Sequence, residues 1–163
     1  MNRLIRLLSI LLFSLGVEAK EEIKWSYVEV QTGDSVVIDP KSSTYTIDKN
    51  IERANYCKES SEFICFITER YKFIFPKQYS GQSSWHWKNY TFCVANNSQN
   101  SLEKSKKLLV YIWNGAKCGE NYAGAYLYSL HDGLQYITTK IGLPVGQLDL
   151  LSTDNKGFGF VLR

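Results

Sequence analysis

Trp85-His86-Trp87 puts two indole rings and an imidazole within three residues. On an extended segment both rings share one face and His86 takes the other. Two coplanar rings make a stacking platform for a sugar or another flat ligand, so Trp85 and Trp87 are candidate binding residues. Trp is also a major core former, and both rings would equally serve packing. His131-Asp132 has the residue types of an acid–base pair, but adjacent turn residues point apart, and Asp there is accounted for by its backbone preference.

Serine chemistry has little support. Ser83 and Ser84 follow Gly81, yet no GxSxG elbow is present to expose a nucleophile. Glu29, Asp39, Glu62 and Glu69 are the carboxylates a glycosidase-type pair could draw on, and only the fold can bring two of them together. Gly157-Phe158-Gly159-Phe160 has the wrong spacing for a phosphate loop and reads as a packing or bulge site. No cofactor is expected.

The four cysteines, Cys57, Cys65, Cys93 and Cys118, show no CxxC spacing, and neither histidine sits at a finger-like interval from them. An even count behind an export signal points to disulfides, with no metal site. Three pairings are possible. Cys57–Cys65 and Cys93–Cys118 are favoured because each closes a local loop, worth about 2.5 and 3.5 kcal/mol by chain entropy. Asn89-Tyr90-Thr91 and Asn96-Asn97-Ser98 match the N-glycosylation pattern.

Dense aromatic and β-branched residues with frequent turn signals predict the elements that must hold these groups: antiparallel strands. Strands are expected at Trp25–Gln31 and Ser35–Ile38 around Thr32-Gly33-Asp34, at Phe63–Phe75 (one strand, or two with a bend) and at Leu108–Trp113. Trp85–Val94 alternates as a single strand. Ala125–Leu130 and Leu134–Thr139 flank Asp132-Gly133, a pair suited to a tight hairpin. Leu148–Leu151 and Phe158–Leu162 complete a four-strand C-terminal meander. Asp48 could cap a helical turn carrying Ile51, Ala54 and Cys57, and Asn100 with Glu103 could open another over Ser101–Lys107. The fold expected is mainly β: one antiparallel domain, barrel-like or a sandwich, with at most two short helices. An α+β arrangement is the alternative.

Arg3 and Arg6, the apolar run Leu7–Leu15 and the small-residue site Val17-Glu18-Ala19 read as a cleavable signal peptide over residues 1–19. The apolar run is about half the roughly 20 residues needed to cross a bilayer. Residues 20–163 then form the working domain, periplasmic or secreted, with no membrane span. A net charge of +3, from 19 basic and 16 acidic side chains, argues against a nucleic-acid partner. Tyr126, Tyr128 and Leu130 share one strand face, and Tyr is enriched where proteins meet. The leading expectation is a non-enzymatic, inhibitor- or immunity-like protein that binds another extracytoplasmic protein through aromatic residues, Tyr126 and Tyr128 foremost. A small secreted hydrolase and a carbohydrate-binding module, with a glycan partner, are the alternatives.

Overall fold

The computed structural model describes residues 23–95, 107–119, 121–140, 147–152 and 156–159. The signal expected over residues 1–19, the pattern Asn96-Asn97-Ser98 and the helical turn before Lys107 lie outside these residues. Among the described residues every regular element is a strand and every pairing is antiparallel. No helix there is long and apolar enough to cross a membrane.

The chain begins with a meander of β1 (Trp25–Glu29), β2 (Ser35–Asp39), β3 (Thr44–Ile47) and β4 (Asn50–Arg53). It continues into β5 (Asn55–Tyr56), β6 (Phe63–Ile67) and β7 (Lys72–Pro76), a separate three-stranded sheet. A second meander follows: β8 (Ser84–Trp87), β9 (Tyr90–Val94), β10 (Lys107–Asn114), β11 (Gly124–Ser129), β12 (Gly133–Lys140) and β13 (Gln147–Ser152). The two meanders fuse where β1 pairs with β13, giving one ten-stranded sheet in the order β4-β3-β2-β1-β13-β12-β11-β10-β9-β8.

The period-two pattern shows which face of this sheet is covered. Leu108, Val110 and Ile112 of β10 are buried, while Lys107, Leu109, Tyr111 and Trp113 take the opposite face. Val36 and Ile38 of β2 and Tyr45 of β3 continue the inner face. Phe66, Phe73 and Phe75 of the small sheet meet it, with ring centroids 5.8 Å apart for Tyr45–Phe66, 4.9 Å for Phe73–Tyr126 and 4.0 Å for Phe75–Tyr128. The small sheet is thus packed over the large one in a sandwich around one aromatic core.

Polar tips of buried rings tie these layers together. The Trp85 indole N–H and the Tyr126 hydroxyl both donate to the Ile74 carbonyl, at 3.1 and 2.6 Å. They cap β7, an edge strand of the small sheet that otherwise would present unpaired backbone groups. Tyr27 donates to the Leu134 carbonyl at 2.9 Å and accepts from the Phe158 amide at 2.8 Å. Tyr56 donates to the Thr44 carbonyl at 2.8 Å. At Gln135 a bulge resets the register of β12, since Tyr128 faces Leu134 while Leu127 faces Tyr136. Leu134 and Ile137, three apart, can then both be fully buried.

The hairpins about Gly33 and Gly133 form as expected, with positive φ at both glycines. Four expectations change. Trp85–Val94 is two strands turning at Lys88-Asn89, with Lys88 at φ 52. Phe63–Phe75 resolves into the β6–β7 hairpin. Asp48, at φ 50, serves the tight β3–β4 turn and caps no helix, because Asp suits positive φ as well as capping. Among the described residues the C-terminal meander has three strands, and β1 occupies the far side of β13, where the expected fourth would pair. Phe158 lies in a turn, and residues 160–162 lie outside those described.

Candidate functional site

Three of the four aromatic residues expected at a binding surface are core residues. Trp85 is 7% exposed, Tyr126 0% and Tyr128 5%. Alternation puts Tyr126 and Tyr128 on one face correctly, but that face carries the small sheet. Their hydroxyls point to backbone carbonyls, Tyr128 to Gly159 at 3.3 Å. Trp87 alone is half-exposed, with the Lys88 ammonium 4.3 Å above its ring. The turn at Lys88-Asn89 also changes the faces: Trp85 lies opposite Phe92 and His86 opposite Thr91. Trp87 therefore belongs to the inner side of the hairpin tip, and the two indoles form no outward platform.

The outward side of the large sheet carries an aromatic cluster instead. Tyr111 and Trp113 project from β10 with ring centroids 5.7 Å apart. Tyr122, ahead of β11, packs against both, at 4.9 and 6.5 Å. All three are half-buried. Their cross-strand neighbours extend the apolar area, with Leu109 opposite Leu127 and Leu127 opposite Tyr136. On the other flank, Tyr111 lies opposite Cys93 and Trp113 opposite Thr91.

One disulfide holds this flank. Cys93 of β9 is bonded to Cys118, with Cα atoms 6.3 Å apart, and tethers the loop after β10. That loop brings Gly119 against the edge of Trp113, where a Cβ would lie 3.7 Å from the indole nitrogen. The other disulfide, Cys57–Cys65, joins β6 to the segment after β5, with Cα atoms 5.1 Å apart.

Among the described residues, the charged groups beside the cluster are lysines. Lys107 stands in the same outward row as Leu109, Tyr111 and Trp113, and Lys117 lies in the adjoining loop, both exposed. Across β8 to β12, the described outward-facing residues include no carboxylate. His86 is exposed on this face, its Nδ1 3.0 Å from the Thr91 hydroxyl. Thr91 donates its proton to the Gly115 carbonyl at 2.5 Å. The ring nitrogen must then be the donor, which leaves Nε2 as the acceptor in the neutral ring.

Elsewhere the candidate chemistry dissolves into turn structure. The Ser129 hydroxyl donates to Asp132 Oδ2 at 2.9 Å and accepts from the amides of His131 and Asp132. Asp132 therefore stabilises the β11–β12 turn. Glu29, although buried, accepts the Thr32 amide at 2.9 Å and closes the first turn. Burial pushes the Asp39 carboxyl up, but bonds from Ser42 and Lys24 outweigh it and hold it below its usual range. No group of three or more His, Cys, Asp or Glu among the described residues could hold a metal ion.

A groove of about 560 Å³ opens beside the small sheet, lined by Ser60, Ser61, Glu62, Lys77, Gln78 and Gln82 over Phe63, Pro76 and Trp85. Gln82 Oε1 accepts from the Ser80 amide at 2.8 Å, which leaves its NH2 for a ligand. Among the described residues, Glu62 is the one carboxylate that lines the groove.

Comparison with known protein families, with characterised proteins and with solved structures finds no match to this chain.

Proposed function

We propose that this is a non-enzymatic binding protein of an oxidising, extracytoplasmic compartment that engages a protein partner through the outward face of β9–β12. The observation that carries this reading is the Tyr111–Trp113–Tyr122 cluster, three mutually packed, half-exposed rings on a rigid strand scaffold. A soluble domain gains nothing in stability from exposing such rings, and apolar patches rimmed by polar groups mark interaction sites. Tyr and Trp are also the residue types that dominate protein interfaces. With Lys107 and Lys117 at the margin and no described carboxylate on the face, the partner suited to it has an apolar centre and an acidic rim. Two disulfides agree with the compartment.

The test is affinity capture followed by variant binding. Oxidised protein retains one stoichiometric partner, and a paired Tyr111→Ser, Trp113→Ser change weakens that binding at least thirtyfold, as expected for losing hot-spot rings worth about 2 kcal/mol or more. A Gln78→Ala change in the groove leaves it unaltered. Thermal melting confirms that each variant is folded. Binding insensitive to the paired change, or no retained protein, rejects the reading.

The groove supports a second reading, a saccharide ligand. Its amide, hydroxyl and carboxylate groups border the apolar surfaces of Phe63 and Trp85, the combination of polar edge and flat apolar wall that sugars use. Titration with neutral oligosaccharides, followed by Trp fluorescence in wild type and Gln82→Ala, tests it. No saturable change in wild type rejects it.

A further inference from the structure

Asn89 stands second in the two-residue turn between β8 and β9, where Trp87 pairs with Tyr90. It is exposed, and its side chain makes no hydrogen bond among the described residues. Only its backbone is engaged, the carbonyl accepting the Gly115 amide at 2.8 Å. Asn89-Tyr90-Thr91 is an acceptor pattern for N-linked glycan, a pattern defined by the amide and by a hydroxyl two residues on. In the folded chain those two groups have opposite fates. The Asn89 amide is at the surface, whereas Thr91 is 2% exposed. The Thr91 hydroxyl is bonded to the Gly115 carbonyl and to His86.

We infer that Asn89 is an N-glycosylation site whose modification must precede the pairing of β9 with β10. The side-chain amide nitrogen forms a bond to C1 of the first sugar of a lipid-linked diphosphate oligosaccharide. The lipid diphosphate leaves with the bonding electron pair, and the amide loses one proton. Pairing of Thr91 with Trp113 seals the hydroxyl, and the Cys93–Cys118 bond then locks the loop that carries Gly115. The two cysteines are 25 residues apart. Synthesis of that stretch takes roughly 1–5 s at about 5–20 residues per second, so an open interval exists before the lock can close. Once attached, the glycan stands at the tip of β8, the edge strand of the large sheet, and shields an edge that could pair with another chain. It requires no movement in the fold, because Asn89 already faces solvent.

The test is secretion of the full chain from eukaryotic cells in an Asn96→Gln background, which removes the second acceptor pattern. A version with a proven export signal ahead of Lys20 ensures entry into the pathway. The expected result is a single mobility shift, reversed by peptide-N-glycosidase and lost on Asn89→Gln, with the Asn89 peptide converted to Asp. Adding Cys118→Ser, which removes the lock, raises the modified fraction. An unmodified Asn89 in the secreted protein, with Cys118→Ser as well as without it, overturns the site. A modified fraction that Cys118→Ser leaves unchanged overturns the order of events.

Discussion

Replacing Tyr27 by Phe should destabilise this protein far more than replacing Tyr126 by Phe, although both remove one buried hydroxyl. Both side chains are 0% exposed, so neither change admits water directly. Tyr126 donates to the Ile74 carbonyl, which keeps a second donor in the Trp85 indole at 3.1 Å. The Tyr126→Phe change therefore removes one bond and leaves no backbone group unpaired, a loss of about 1 kcal/mol. Tyr27 both donates to the Leu134 carbonyl and accepts from the Phe158 amide. Its removal strips two bonds and orphans a buried N–H, which adds a desolvation penalty of about 1–3 kcal/mol. The total for Tyr27→Phe is about 3–5 kcal/mol, a large share of the roughly 5–15 kcal/mol by which domains are stable. Urea unfolding followed by Trp fluorescence reads both values, with equal m-values confirming that the unfolded reference is unchanged. Equal losses for the two variants, or a Tyr27→Phe loss under about 0.5 kcal/mol, would refute the claim that Tyr27 pins residues 156–159 to β12.

The same ring chemistry sets an alkaline limit. Burial, with the Glu52 bond second, raises Tyr45 to about 12, and burial alone raises Tyr128 to about 12. Both therefore favour the neutral folded state below pH 10 and lose that contribution as pH rises towards 12, each by up to about 1.4 kcal/mol per pH unit. Circular dichroism and tyrosinate absorbance should change together in this window, and ionisation of all tyrosines near pH 10 in an intact fold would contradict it. Gly157→Ala should abolish the native docking of residues 156–159, because its Cβ would lie 1.7 Å from the Leu134 carbonyl oxygen, a backbone atom. A melting curve within error of wild type would show otherwise. Replacing Cys93 and Cys118 together by Ser should lower stability by about 3.5 kcal/mol through the restored freedom of the unfolded loop, read by the shift in urea midpoint. An unchanged midpoint would show that the bond constrains nothing.

Local signals determined much of this molecule before any tertiary contact. Thr32-Gly33-Asp34 and Asp132-Gly133 mark hairpins because their backbones accept positive φ, and both turns are where those residues stand. The strand Leu108–Trp113 forms within β10, and alternation puts Tyr111 and Trp113 on one of its faces without saying that this face is the outward one. Cys57 with Cys65, and Cys93 with Cys118, are near enough in the chain to meet across neighbouring elements.

Which face is inward was decided only by the small sheet. Period two divides Tyr126 and Tyr128 from Leu127 but does not say which side Phe73 and Phe75 will cover. The same limit applies at Trp85-His86-Trp87, where Lys88 takes positive φ without the glycine that usually announces such a turn. One unmarked reversal there moved Trp85 against Phe92 and took it off the surface. The fusion of β1 with β13 joins residues more than a hundred positions apart, and no local pattern encodes a partner at that distance. Chain-local physics specifies turns and faces; burial is a property of two surfaces, and it exists only once both have met.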